Sequence, residues 1–234
     1  MTCIYLIRHG QASFGKDDYD CLSSLGEQQA THLGADLKRR GVRFDKVFRG
    51  SMLRHQQTAK GCLHAMGADE SIIETTIVDA NWNEYDHQDI LAQLNPTFAT
   101  PAGVKQHLMQ HKNPNMALQN VIEEAFSRWM SNDFAQQYTE SWMAYQNRIE
   151  LAIQNVIDHN EDAKHIAVFS SGGPIAVLSQ TLLNIPASNL MKVNWTLVNA
   201  GVTKIIHSKK GLVLSSLNDH SAFEGNHRHL ITYK

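Results

Sequence analysis

Two short apolar runs constrain what this 234-residue chain can become: Ile4-Tyr5-Leu6-Ile7 near its start and Ile166-Ala167-Val168-Phe169 far downstream. A strand with one wet face alternates apolar and polar residues. An unbroken apolar run of this length belongs to a strand covered on both faces, as in a parallel sheet between helical layers. The first run leads directly into Arg8-His9-Gly10-Gln11, the second into Ser170-Ser171-Gly172-Gly173-Pro174. A strand that ends in Arg-His gains nothing in packing. It gains a site, because ligands of open α/β sheets bind at the carboxyl ends of the strands. An imidazole beside a guanidinium suits an anionic ligand and a nitrogen nucleophile. The tripeptide by itself is equally compatible with a satisfied strand end, so the remaining chain has to decide.

Between these runs the pattern alternates. After a polar, Gly-punctuated loop, Ser23 and Ser24 can cap a helix, with Glu27 three residues after Ser24 as in a capping box. Ala30, Leu33 and Leu37 continue it to Gly41, and Lys46-Val47-Phe48 predicts a second strand. Ala59, Cys62, Leu63 and Met66 repeat at helical spacing, with Ser51 as the expected cap. Arg54 then falls in the first turn. A cation is disfavoured there unless an anion binds between it and the free amides. Ile72-Ile73 and Ile77-Val78 suggest a third strand, and Pro96, Pro101, Gly103 and Pro114 predict an irregular stretch over 95–116. Leu118 to Trp129 and Trp142 to Val156 carry two amphipathic stripes. Gly172-Gly173 with Pro174 at a first helical position predicts a helix start that offers amides to an anion. Val202–Ile206 and Leu212–Leu214 around Lys209-Lys210-Gly211 read as a β-hairpin, followed by a polar, His-rich tail.

This order predicts one α/β domain over 1–234, three-layered α/β/α with a mostly parallel sheet, and residues 88–145 as a helical lid or insertion over the carboxyl edge. A formal net charge of −2 gives no reason to expect nucleic acid or an anionic membrane as partner. Cys3, Cys21 and Cys62 are an odd set without a CxxC pair, so a disulfide framework or zinc ribbon is not expected. Neither a signal peptide nor a membrane span is recognisable, and a reducing cytoplasm is the expected location. His107 and His111, four apart, and the alternating His227 and His229 have ligand-like spacing, but with 13 histidines such pairs arise by chance and no metal or other cofactor is expected. No P-loop or dinucleotide fingerprint is present, and Ser171-Gly172-Gly173 lacks the Gly that a nucleophile elbow requires.

Arg8-His9-Gly10, the segment Leu22 to Ala30, Ser51-Met52-Leu53-Arg54-His55-Gln56-Gln57-Thr58-Ala59, the strand before Gly172-Gly173 and the terminal hairpin resemble the histidine phosphatase superfamily, which includes the phosphoglycerate mutases. The resemblance runs from end to end. It implies a phosphohistidine intermediate, with His9 as nucleophile, Arg8 and Arg54 holding the phosphoryl oxygens, and Glu84 as proton donor. Asp79 and Asp86 are rivals for that last role. The chemistry agrees: neighbouring guanidinium groups keep a nucleophilic imidazole neutral and stabilise the transferring phosphoryl group. The leaving alkoxide needs a proton, and a phosphate dianion favours the protonated form of a carboxyl beside it.

The chain departs from the family in two places. Members usually carry a second His before Gly-Gly, where this chain has Ser171. Serine can donate one hydrogen bond but carries no charge. His220 is the first candidate to replace that imidazole, with His87 and His55 as others. The family's phosphate-contacting Asn has no obvious counterpart in the loop after Arg8-His9-Gly10, Gly15 standing about there; Gln11 and Ser13 are the expected substitute donors, with Ser171 and Gly172 as further phosphate-binding candidates. The expected activity is phosphomonoester hydrolysis of a small phosphorylated metabolite or phosphoprotein. A phosphoglycerate mutase, and a catalytically weak phosphoanion-binding module, remain as alternatives. A homodimer stays open.

Overall fold

The computed structural model describes residues 1–13, 20–158, 160 and 162–233; Gly15 therefore lies outside the described residues. In chain order come β1 (Thr2–Arg8), α1 (Ser24–Arg39), β2 (Lys46–Arg49), α2 (Leu53–Met66), α3 (Glu70–Glu74) and β3 (Ile77–Val78). Then follow α4 (His87–Leu94), α5 (Pro101–Leu108), α6 (Pro114–Met130) and α7 (Trp142–Asp158). Last are β4 (His165–Ser170), α8 (Gly172–Leu183), α9 (Leu190–Thr196), β5 (Val202–Ser208) and β6 (Gly211–Asp219), with two 3-10 turns in the tail.

The strands form one sheet in the order β3-β2-β4-β1-β5-β6. The first four are parallel; β5 and β6, the expected hairpin, run antiparallel. The expected α/β class therefore holds, with a mixed sheet whose parallel part carries the two apolar runs. Register puts Arg8 beside Ser170 and Arg49 beside Phe169, so the carboxyl ends of β1, β2 and β4 share one edge.

The chain divides into two compact units, Met1–Glu84 with Ile149–Lys234, and Tyr85–Arg148. In the first, alternate residues of the central strands serve opposite faces. Tyr5, Ile7, Val47, Ala167 and Phe169 pack with Leu33, Leu37, Cys62 and Leu63 of α1 and α2 and with Phe223 and Leu230 of the tail. Ile4, Leu6, Phe48, Ile166 and Val168 are just as buried, and α8, inward-facing from Gly172 to Ser179, lies against β1 and β6. In the second unit, Tyr85, Phe126, Trp129, Trp142 and Tyr145 form one aromatic core with ring centroids 5.0–5.9 Å apart. Edge-to-face contacts of this kind add to the burial of their area.

Several local expectations are corrected. Ser23 alone caps α1, accepting from Gly26 N, and its own N–H donates to the Gln11 carbonyl, so Glu27 closes no capping box. Ile72-Ile73 lies in α3, and only Ile77-Val78 is strand. The stretch 95–116 is largely helical: Pro96, Pro101 and Pro114 each start a helical element, capped by the side chains of Asn95, Thr100 and Asn113. A first-turn proline loses only an N–H that has no helical partner anyway. Pro174 is the third residue of α8, not the first. Among the described residues no helix is long and apolar enough to cross a membrane.

Candidate active site

His9 sits where β1 leaves the sheet. Its backbone is pinned on both sides: its N–H donates to Ser170 O at 2.8 Å, and its carbonyl accepts from Ala200 N and Asn199 Nδ2, each at 3.2 Å. The ring is fixed as well, with Nδ1 2.7 Å from Gly10 O. A carbonyl can only accept, so Nδ1 carries the proton and Nε2 keeps its lone pair. Burial, and after it the charges of Arg54 and Arg8 and the His55 ring, hold this imidazole well below its ordinary pKa. His9 is therefore neutral at physiological pH with a free nitrogen nucleophile.

The turn after His9 allows no side chain. A Cβ on Gly10 would lie 2.5 Å from Gly26 O, and one on Gly26 would lie 2.2 Å from Gln11 O. The first turn of α1 thus abuts the His9 loop directly. Gly10 N donates to Thr58 Oγ1, which donates in turn to Arg54 O, tying the loop to α2.

Arg54 lies in the first turn of α2, buried, as the helical spacing predicted. Ser51 is not the cap: its N–H donates to Asn83 Oδ1, and Met52 occupies the cap position without a side-chain bond. The acceptor comes from Asp20, whose Oδ2 takes Leu53 N and whose Oδ1 takes Arg54 Nη1, both at 2.7 Å. Arg54 Nε is buried without a hydrogen-bond partner among the described residues. Arg8 is equally buried, with Nη1 donating to Leu197 O.

Across from His9 stands the start of α8. Ser171 and His55 are both fully buried, and His55 Nε2 lies 2.7 Å from Ser171 Oγ. The His55 ring is 5.8 Å from that of His9. Burial first, then Arg54 and Arg49, hold His55 well below the ordinary imidazole range. Gly172 opens α8, and a Cβ there would lie 3.6 Å from Arg8 Nε and 2.3 Å from Asn194 Oδ1. Gly173 N donates to Glu84 Oε2 at 3.2 Å. Glu84 is delivered by a polar stretch anchored twice: Trp82 O accepts from Ser170 Oγ, and Asn83 exchanges hydrogen bonds with Ser51.

The fold therefore brings His9, Arg8, Arg54, Ser171, Gly172 and Glu84 to one sheet edge. The rival carboxylates are used elsewhere, Asp79 capping the turn at Ala80 and Asp86 capping α4. Gln11 and Ser13 spend their side-chain oxygens inside the loop, Gln11 Oε1 accepting from Ser23 Oγ and Ser13 Oγ donating to Leu22 O. The imidazole at Ser171 belongs to His55. His220 bonds Asn218 O and, among the described residues, makes no hydrogen bond or ring contact with His9 or Ser171. His87 opens α4 in the other unit. The rings of His107 and His111 lie 4.8 Å apart and those of His227 and His229 6.4 Å apart. Among the described residues no three metal-ligating side chains converge. Asp20, Asn83 and Asn199 carry no motif and emerge only from the fold.

A model of the histidine phosphatase superfamily (branch 1) matches residues 4–117 and 109–220. The chain is 34% identical over 94 residues to a 2,3-bisphosphoglycerate-dependent phosphoglycerate mutase of Mesorhizobium japonicum, over 37% of this chain and 44% of the relative. It thus spans less than half the length of the curated relatives it matches. Among solved structures it resembles a phosphoserine phosphatase mutant from Entamoeba histolytica in complex with phosphoserine (TM-score 0.64, 19% identity, covering 95% of this chain and 99% of that one). It also resembles a phosphoglycerate mutase from Bacillus anthracis (0.62, 18%, 94% of each chain). At these identities the likeness is one of fold. With the family match over most of the sequence, the chain belongs to the histidine phosphatase superfamily.

Proposed function

We propose that this protein is a phosphomonoesterase that works through phosphorylation of His9. The observation that carries the reading is the His9 ring itself: neutral, oriented by Gly10 O through Nδ1, and flanked by two buried guanidinium groups. Nε2 attacks the phosphorus in line, the P–Nε2 bond forms and the ester P–O bond breaks. Arg8 and Arg54 stabilise the charge on the equatorial oxygens. Glu84 gives its proton to the departing alkoxide. Its carboxylate then takes a proton from the water that attacks the phosphohistidine, the P–N bond breaks, and inorganic phosphate leaves with His9 restored. The proposed substrate class is a small phosphorylated metabolite or a phosphoprotein side chain.

Hydrolysis of p-nitrophenyl phosphate tests this reading, together with trapping of an acid-labile phosphoryl adduct. Both are expected in the wild type and neither in His9→Ala. Turnover that survives His9→Ala would exclude the nucleophile assignment. A second reading, phosphoryl transfer back to substrate as in a mutase, is favoured by the match to bisphosphoglycerate-dependent mutases. Turnover of phosphoglycerate that requires added bisphosphoglycerate would select it.

A further inference from the structure

We infer that Ser171 and His55 act as one unit, His55 positioning the Ser171 hydroxyl so that Ser171 donates its proton to an oxygen of the phosphoryl group at His9. The inference rests on the proposed phosphohistidine chemistry. It deepens it by assigning a catalytic donor, Ser171, and a positioning residue, His55.

The assignment follows from where protons can go. His55 Nδ1 is buried and has no hydrogen-bond partner among the described residues. It lies against Gly50, where a Cβ would stand 2.2 Å from Nδ1, so the glycine makes room for the ring and the ring cannot shift that way. Buried N–H groups are rarely left without an acceptor, whereas a nitrogen lone pair is less costly to leave alone. The neutral ring therefore carries its proton on Nε2, which donates to Ser171 Oγ at 2.7 Å. With that oxygen already accepting, the Ser171 proton must be given to something else. The Ser171 side chain does not cap α8 and has no other hydrogen bond among the described residues. Around it at the sheet edge stand donors, Arg8 and the opening amides of α8, and two acceptor side chains, Glu84 on Gly173 N and Asn194 beside Gly172, neither of which takes the Ser171 proton. A phosphoryl oxygen held at His9 would give the Ser171 hydroxyl the acceptor that it has not found among the described residues.

Geometry places the pair correctly for this. His9 N is bonded to Ser170 O, so Ser171 starts one residue from the nucleophile's own anchor. The His55 and His9 rings are 5.8 Å apart, centroid to centroid, so the brace and the nucleophile are neighbours. His55 comes from the residue after Arg54, so one turn of α2 supplies both a charged donor and the brace for a neutral one.

The experiment compares Ser171→Ala, His55→Ala, the double variant and His55→Gln in p-nitrophenyl phosphate turnover and in vanadate binding by titration calorimetry. Loss of one preorganised donor to a developing oxyanion lowers kcat about 100-fold. Each single alanine variant is expected to show that loss with KM changed only a few-fold, and the double variant is expected to lose no more than either. His55→Gln, which puts an amide N–H near the Nε2 position, is expected to recover most of the rate. Vanadate affinity is expected to fall in step with kcat. Wild-type kcat and vanadate affinity in Ser171→Ala would overturn the inference, as would loss in His55→Ala alone. A lowered melting temperature in His55→Ala with unchanged vanadate affinity would also overturn it, marking the ring as structural. If wild-type protein shows no His9-dependent turnover, the phosphatase reading fails; vanadate binding still decides the donor, which stands if Ser171→Ala weakens it and falls if it does not.

Discussion

Asp20 and Arg54 meet at 2.7 Å, and the second oxygen of the same carboxylate caps α2 through Leu53 N. One residue thereby supplies the helix with the cap its own sequence lacks and fixes the direction of a buried guanidinium. The Asp20 side chain is 40% exposed, which screens the ion pair to well under ~1 kcal/mol, so the cap dominates. Asp20→Ala is expected to cost about 1–2 kcal/mol and lower the melting temperature by about 3–6 °C in a chain of this size. Asp20→Asn, which keeps one acceptor, is expected to fall in between. An unchanged melting temperature in Asp20→Ala would remove the capping account.

Glu84 reaches the start of α8, whereas Asp79 and Asp86 are engaged as caps. A general acid matters in proportion to how badly the leaving group needs a proton. Glu84→Gln is expected to lower kcat on an alkyl phosphate about 10²–10⁴-fold. A rapid-mixing burst of p-nitrophenolate should survive, because that leaving group departs without help, and the turnover after it should slow because the water lacks its base. Asp79→Ala and Asp86→Ala are expected to reduce thermal stability, through the lost caps, without changing this leaving-group pattern. The same pattern in either of them would move the acid away from Glu84.

What could be read from the sequence follows a physical division. Ile4–Ile7 and Ile166–Phe169 announced buried parallel strands because periodicity is a local property, and the residues that end them follow at once in the chain. Arg54 was visible because a cation in a first helical turn contradicts the helix dipole. Asp20, Asn83 and Asn199 were not visible, since each serves a residue 32 or more positions away and carries no local pattern. Placing His220 first among the three candidate histidines for the Ser171 corner had no physical ground, because sequence distance says nothing about which ring faces a buried serine. Contact across 116 positions selects His55 over His220. Prolines in 95–116 misled because proline breaks a helix interior yet suits a first turn, and only the capping side chains before each one distinguish the cases.

Gly26 gives a prediction with an unusual sign. It is the third residue of α1, where alanine would ordinarily stabilise a helix by about 1 kcal/mol. Here a Cβ would lie 2.2 Å from the Gln11 carbonyl oxygen, a backbone atom that cannot swing aside. Gly26→Ala is therefore expected to destabilise by about 1–3 kcal/mol despite the better propensity. It should also lower turnover by displacing the Gly10-Gln11 turn that holds the His9 ring. A melting temperature at or above that of the wild type would show that the loop yields cheaply, and the idea of a rigid contact between α1 and the His9 loop would be lost.

The two buried imidazoles make stability depend on pH with a definite sign. His9 and His55 are held well below the ordinary value of 6.5 in the folded protein, while the unfolded chain titrates them near that value. Below about pH 6.5 the unfolded state binds protons that the folded state refuses. Stability is then fully present above that pH and falls as pH drops. Each group contributes a slope approaching about 1.4 kcal/mol per pH unit, until its own folded pKa is reached. Denaturant unfolding between pH 7.5 and 5 is expected to show this decline. His55→Gln should remove up to one proton from the proton uptake on unfolding in this range, measurable as the change in the slope of ΔG against pH. A slope identical in wild type and His55→Gln would mean that His55 takes up its proton without unfolding, and the assignment of a neutral ring donating through Nε2 to Ser171 would have to be given up.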